Sequence, residues 1–221
     1  NYERISTVAE LSKLAEALTD AGRFAFALSE NDEGQLTGVA FSSEANSATQ
    51  FDLADCDDHG KAIKLLKDLF GNRLIEKATF DLKRATHKLA QLGIQIETAT
   101  DDTLLQGYLL DSDRSKFEVT QLANEHLGGF GLAKDSELTT QAADLNLQLA
   151  DAMNAKIADD KLQFDFQEQT LDYVYQQIEM PLVPLLCEIE NAGFRVDTDV
   201  LAKLSVEMAE EIEKLSAKIY E

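Results

Sequence analysis

The sequence predicts an α/β fold, in which a mixed β-sheet flanked by helices is followed by a C-terminal helical segment. Three apolar runs separated by short turns predict a meander of strands near the start of the chain. Strands then alternate with helical patterns, and from Asp102 onward only helical periodicity remains. With 221 residues and 44% apolar content, the chain is long and apolar enough to bury a substantial core.

The predicted meander follows a short amphipathic helix. Thr7 and Glu10 form a capping-box pattern, and apolar residues recur behind them at helical spacing. Strands are expected at residues 23–29, 35–43 and 48–54, with turn-rich sequence between them. Because short connections favour antiparallel pairing, these strands are expected to form one meander.

The next stretch alternates helix and strand. Asp58 is expected to cap a helix, and strands are expected at 74–80 and 94–100 with a helix starting at Leu82 between them. This alternation favours parallel strands joined by right-handed crossovers. The meander thereby gains a parallel part, and helices cover both faces of the sheet.

Helical patterns fill the rest of the chain. A short helix is expected at 117–127, a longer one from near Ser136, and a kink or a fresh helix start near Pro181. A seam at 159–163 separates a predicted domain at 1–160 from a helical region at 161–221.

The last predicted helix carries an apolar stripe that is still running where the sequence stops. Its packing partners are therefore expected in sequence beyond Glu221, and the lack of an initiator methionine suggests an excised fragment. The stripe consists of Leu201, Leu204, Met208, Ile212, Leu215 and Ile219.

Charge and composition limit the possible partners. The formal net charge of −21 argues against a surface that wraps nucleic acid phosphates, so the isolated chain is expected to bind DNA weakly or not at all. No apolar run approaches the length of about 18 residues that a transmembrane helix needs. Cys56 and Cys187 lack metal-type spacing and are interpreted as reduced thiols of a cytoplasmic protein.

Several motifs resemble those of the bacterial DNA polymerase I family. They are FDLKR at 80–84, DTLLQGYLL at 102–110, ADLNLQL at 143–149, IEMPLVPLL at 178–186 and EIENAGFRVD at 188–197. The resemblance covers nearly the whole chain, in the order that the family has. It implies that residues 1–160 form a 3′–5′ exonuclease-type domain of ribonuclease H-like fold, and that residues 161–221 connect to the start of the polymerase thumb.

The same resemblance implies a degenerate active site. Active members hold two divalent metals, such as Mg²⁺, with four carboxylates spread over three motifs. The matching positions in this sequence are Ala27 and Ser29 in the first motif, Lys77 and Asp81 in the second, and Leu138 and Ala142 in the third. By this matching only Asp81 keeps its carboxylate, so no metal or other cofactor is expected.

Nearby charged residues have simpler interpretations. Glu30 and Asp144 are expected to point away from the site, since neighbouring positions on a strand or helix face other directions. Lys77 is expected near Asp81, most simply as a solvated ion pair. Asp102 is interpreted as a helix N-cap rather than as a metal ligand.

Three functional hypotheses follow from these observations. The first is an inactive proofreading-type domain that serves as a structural platform for a DNA polymerase of replication and repair. The parent polymerase would supply DNA binding, and its polymerase domain would pack on the C-terminal helices. The alternatives are an active metal-dependent 3′–5′ exonuclease with a rearranged ligand set, and an acidic protein-interaction module.

Overall fold

A computed structural model describes residues 1–129, 131, 134, 137–159 and 170–220. Within these residues the protein contains a six-stranded mixed sheet with strand order β1-β4-β3-β2-β5-β6. The strands are β1 (Tyr2–Ile5), β2 (Arg23–Glu30), β3 (Leu36–Glu44), β4 (Ser47–Asp52), β5 (Glu76–Thr79) and β6 (Ala99–Asp102).

The strand directions confirm the predicted α/β class. Strands β2, β3 and β4 form the antiparallel meander, and β5 and β6 extend it as parallel strands beside β2. Strand β1, which the sequence pattern did not reveal, pairs in parallel with β4 through Tyr2 and Ala48.

Helices precede, connect and follow the strands. The first five are α1 (Val8–Ala21), α2 (His59–Phe70), α3 (Leu82–Ala90), α4 (Thr103–Leu110) and α5 (Val119–His126). The others are α6 (Leu138–Asp159), α7 (Leu171–Val174), α8 (Met180–Ala192) and α9 (Thr198–Tyr220). The capping box at Thr7 and Glu10 and the Asp58 cap are both present, so these two helix starts are confirmed.

An aromatic cluster fills the core on the side of α1 and α2. Phe24 and Phe26 from β2 meet Phe70 edge to face, with ring centroids 5.8 and 4.9 Å apart. Phe41 from β3 completes the cluster, and all four side chains are fully buried. Edge-to-face pairs add about 0.5–1.5 kcal/mol each to the burial of these rings, so this cluster anchors the sheet.

Helix α6 packs on the opposite face against small residues. Ala25 and Ala78 of the sheet contact Leu147 and Ala150 of the helix. Because alanine side chains are short, the helix lies close to the strands. This close packing places Ala142 and Asn146 next to the end of β2.

Two predicted strands begin later in the chain than expected. Strand β5 begins at Glu76, because Leu74 lies in a solvent-exposed turn. Strand β6 begins at Ala99, after Thr98 adopts a positive φ of 53° that breaks extended structure. Ile94 is buried in the core, so the apolar run that predicted a strand there belongs to an irregular segment held to the core by Ile94.

The C-terminal part is helical, as predicted. One turn of π-helix, Tyr175–Glu179, precedes α8 near the expected interruption at Pro181. The chain divides into one compact unit at residues 1–187 and a second from Glu188 onward. The proposed boundary near 160 stays a prediction, and the expected helix start at Ser136 and most of the seam at 159–163 lie outside the described residues.

Helix α9 exposes its apolar stripe along its whole length, and none of its residues is buried. Among the described helices, no segment combines the length and the apolar character needed to cross a bilayer.

Candidate functional site

A cavity of about 150 Å³ lies between β2, β5 and α6. Three small or polar side chains from these elements shape it: Ala27, Thr79 and Asn146. Its complete lining is Ala27, Leu28, Glu30, Thr79, Phe80, Asp81, Arg84, Ala85, Val119, Ala142 and Asn146.

The cavity gathers three of the positions that the family resemblance singled out. Ala27, Asp81 and Ala142 all line it. Ser29 and Leu138 are not among its lining residues. The Ser29 hydroxyl accepts a hydrogen bond from Thr37 at 3.1 Å, and Leu138 is half exposed at the first turn of α6.

Asp81 has a structural task at this cavity. Its backbone adopts the left-handed conformation, with φ 59° and ψ 67°, which Asp and Asn tolerate better than most residues. Its carboxylate accepts a hydrogen bond from the Arg84 amide at 3.1 Å and caps α3. The one carboxylate that matches the active family therefore also starts a helix.

Asp102 caps two helices at once. Its carboxylate accepts hydrogen bonds from the amides of Asp81 and Leu82 at the start of α3, at 3.0 and 2.8 Å. It also accepts from the amides of Leu104 and Leu105 in α4. Burial raises the pKa of Asp102 to about 6, although these amides favour the charged form. The N-cap interpretation of Asp102 is confirmed.

Glu30 lies at the cavity, and the expectation that it points elsewhere is wrong. The register shift between Ser29 and Glu30 leaves Thr37 of β3 as the extra residue, and alternation along β2 puts Glu30 on the same side as Leu28, which also lines the cavity. The carboxylate forms ion pairs with Arg84 and Lys88, both at 2.8 Å. Burial would raise the pKa of Glu30, but Lys88 and Arg84 outweigh it and hold the pKa below its usual value.

Asp144 points away from the cavity, as expected. Its carboxylate accepts hydrogen bonds from the Tyr2 hydroxyl at 2.9 Å and from the Asn46 amide at 2.8 Å. Gln148 supplies a third donor at 2.8 Å. Asp144 thus joins α6 to the β1 side of the sheet.

Lys77 is not a solvated partner of Asp81, and that expectation is wrong. Its side chain is fully buried, and its ammonium donates to the carbonyls of Asn72, Ile75 and Glu97 at 2.6, 2.8 and 2.7 Å. Residues four apart on an extended strand lie about 13 Å apart. The Lys77 side chain can therefore bind carbonyls before β5 and β6, whereas Asp81 lies beyond the end of β5.

We expect Lys77 to make stability depend on pH. Burial lowers the pKa of Lys77 to about 8, below the ordinary lysine value of 10.5. Between pH 8 and 10 the unfolded chain therefore binds more protons than the folded chain, and the free energy of unfolding should rise with pH. The contribution is at most about 1.4 kcal/mol per pH unit.

Urea unfolding at several pH values, with Lys77→Met beside the parent chain, measures this contribution. The Lys77→Met variant should lose the rise between pH 8 and 10, whereas Lys64→Met, at an exposed position of α2, should keep it. Parallel pH profiles for the parent and Lys77→Met would contradict the expectation.

Asn146 is a cavity residue that the sequence analysis missed. Its side chain donates to the Phe26 carbonyl at 3.1 Å, and the Thr79 hydroxyl donates to the same carbonyl at 2.9 Å. Its amide oxygen accepts from Thr103 at 3.2 Å. A polar residue inside the apolar run from Leu145 to Leu149 was the available signal, because buried asparagine needs partners.

The residues at the cavity do not fit a two-metal centre. Glu30 and Asp81 are its two lining carboxylates, and Glu30 is held by two cations. Hard divalent ions require several oxygen ligands each, and two ions close together require more anionic ligands still. Across the part of the chain that the structure describes, no group of three or more His, Cys, Asp or Glu residues could hold a metal ion.

Residues 29–137 match the family described as DNA polymerase I, ribonuclease H-like domain. Residues 29–137 therefore belong to this domain family. The matched residues include Ser29 near the end of β2, Asp81, and Asp102, which accepts a hydrogen bond from the Asp81 amide. Much of the cavity wall therefore lies within the matched region.

Curated relatives agree with the family. DNA polymerase I of Synechocystis sp. is 28% identical over 98% of this chain and 24% of its own length. The Pseudomonas aeruginosa enzyme is 28% identical over 96% of this chain and 25% of its length. The thermostable Thermus filiformis enzyme is 31% identical over 65% of this chain and 16% of its length. The chain therefore spans about a quarter or less of these relatives.

Solved structures agree with the ribonuclease H-like fold. The POL domain of Pol1 from M. smegmatis, in complex with DNA primer-template and dNTP, has a TM-score of 0.78 and 23% identity. That likeness covers 97% of this chain and 36% of the other chain. RNase D of Trypanosoma brucei has a TM-score of 0.61 and 18% identity, over 83% of this chain and 71% of the other.

Proposed function

We propose that this chain is part of a DNA polymerase I whose ribonuclease H-like domain no longer hydrolyses DNA and serves as a structural platform. The observation that carries the proposal is the donor set of the cavity. The resemblance implies four metal-binding carboxylates. Ala27 and Ala142, at two of these positions, present methyl groups, and Ser29, at a third, has a hydroxyl that accepts a hydrogen bond from Thr37. One matched carboxylate, Asp81, cannot hold two metal ions by itself.

The presence of an aspartate at position 81 agrees with this proposal. An aspartate at this position caps α3 and adopts a left-handed backbone that few residues tolerate. Folding alone therefore explains why Asp81 is an aspartate, and metal binding is not needed to account for it.

The platform role extends to the C-terminal helices. The exposed stripe of α9 is a contiguous apolar surface of the kind that buries itself against another domain. In the parent enzyme this surface packs against the polymerase domain, and the parent enzyme, acting in the cytoplasm in replication and repair, holds the DNA.

One observation favours a second candidate function. Glu30 lies at the cavity with Asp81, so an exonuclease with a rearranged ligand set would use these two carboxylates. Its metal would have to displace both Arg84 and Lys88 from Glu30. That competition counts against this candidate.

A hydrolysis assay separates the two candidates. With single-stranded DNA and Mn²⁺, the unaltered 221-residue chain should release no more nucleotide than it does in chelator. The variants Asp81→Asn and Glu30→Gln should behave in the same way. Asn at position 81 keeps the cap and tolerates the left-handed backbone, so Asp81→Asn is a folded control. Manganese-dependent trimming that disappears in either variant would refute the platform proposal and support the rearranged site.

A further inference from the structure

A segment of the larger unit, residues 171–187, lies across the helices that frame the cavity. This segment, here called the strap, contains α7, the π-helical turn and the first half of α8. Leu171 and Tyr175 are buried against Ile157 of α6, and Val183 and Cys187 pack on Leu82 at the start of α3. The strap therefore contacts the elements that position Asp81.

Tyr175 connects the strap to the sheet by one buried hydrogen bond. Its side chain is fully buried, and its hydroxyl oxygen accepts a hydrogen bond from the Asp102 amide at 2.9 Å. Tyr175 opens the π-helical turn, an arrangement that is rare and often found at functional positions.

Asp102 continues this connection to the cavity. The residue whose amide meets Tyr175 also accepts, through its carboxylate, the amides of Asp81 and Leu82. Asp102 thus connects the strap to the start of α3, because its backbone amide binds the Tyr175 hydroxyl and its carboxylate binds the first amides of α3. The strap reaches the same helix start a second time through the contacts of Val183 and Cys187 with Leu82.

We propose that Tyr175 and Asp102 form a clamp that couples the seating of the strap to the position of Asp81 at the cavity. Asp102 is a positioning residue in this clamp, since it acts on the cavity through the backbone of Asp81. Lifting the strap leaves the buried Asp102 amide without an acceptor, which makes partial release unfavourable and favours two discrete arrangements. The coupling does not depend on whether the cavity hydrolyses DNA.

Hydrogen exchange of the Tyr175→Phe variant tests the clamp. The phenyl ring keeps the packing with Leu171 and Ile157, so the variant should fold. The amides of Asp81, Leu82 and Asp102 should exchange roughly tenfold faster than in the parent, which corresponds to about 1.4 kcal/mol. Tyr173→Phe, at an exposed tyrosine of the same segment, should leave these rates unchanged.

The pattern of exchange distinguishes coupling from a general loss of stability. The amides of Phe41 and Phe51, in the meander, should keep their parent rates in Tyr175→Phe. Coupling is also reciprocal, so Asp102→Asn should accelerate exchange in the π-helical turn. Unchanged rates at Asp81 and Leu82, or the same acceleration at every amide including Phe41, would overturn the proposal.

Discussion

Replacing Asp102 by alanine is expected to lower the free energy of unfolding by about 2–4 kcal/mol, because backbone amides at the starts of two helices lose their acceptor together. A single side-chain cap contributes typically about 1 kcal/mol and at most about 2. The Asp102 carboxylate serves both α3 and α4, and it is almost completely buried. Urea unfolding at neutral pH measures the loss.

The control for this prediction is Asp58→Ala. Asp58 caps α2 alone and is partly exposed, so its removal should cost clearly less than removal of Asp102. Both losses should be the same in chelator and in Mn²⁺. A loss at Asp102 that grows when Mn²⁺ is present would mean that the residue is a metal ligand, contrary to its N-cap geometry.

The sequence pattern was most informative where local signals and burial agree. The meander of β2, β3 and β4 has apolar runs bounded by turn residues, and its antiparallel order followed directly. Strand β1 escaped notice because Glu3 and Arg4 interrupt its apolar pattern and its partner β4 is more than 40 residues away. Pairing between distant segments leaves little trace in a local pattern.

The resemblance pointed to several residues of the cavity, but it did not predict the direction of the neighbouring side chains. Family motifs named Ala27, Asp81 and Ala142, which all line one cavity. Alternation puts Ala27 and Glu30 on different sides of β2, yet both line the cavity, and periodicity alone could not reveal this. Lys77 was placed wrongly because sequence spacing does not give the direction of a long side chain.

The clamp illustrates a different limit of sequence analysis. Tyr175 fits the apolar stripe of the helical pattern around Val174 and Ile178, so the sequence offered no reason to single it out. Its role depends on one hydrogen bond to Asp102, 73 residues earlier in the chain. Only the packed structure reveals a contact of that range.

Introducing carboxylates at the positions that the resemblance matches to metal ligands is expected to make stability depend strongly on metal. The variant combines Ala27→Asp, Ser29→Glu and Ala142→Asp with the native Asp81. Lys77 is kept, since its ammonium satisfies three buried carbonyls. Without metal, four clustered carboxylates repel each other and should lower the melting temperature below that of the parent.

Metal should reverse this loss in the restored variant. An ion present at 100 times its dissociation constant stabilises the folded state by about 2.7 kcal/mol, which corresponds to roughly 5–10 °C in a chain of this size. Adding Asp81→Asn to the restored variant removes one ligand and should abolish most of the gain. A variant whose melting temperature does not respond to Mg²⁺ or Mn²⁺ would mean that these positions do not converge on one metal site.

The melting temperature of the unaltered chain, measured in Mn²⁺ and in chelator, tests the central claim most directly. The platform account predicts that the unaltered chain melts at the same temperature in Mn²⁺ and in chelator, and that Asp81→Asn likewise shows no difference between the two conditions. The reason is that one helix-capping carboxylate and one ion-paired glutamate cannot hold a metal centre. A higher melting temperature in Mn²⁺ that Asp81→Asn abolishes would contradict the account and show that the cavity binds metal.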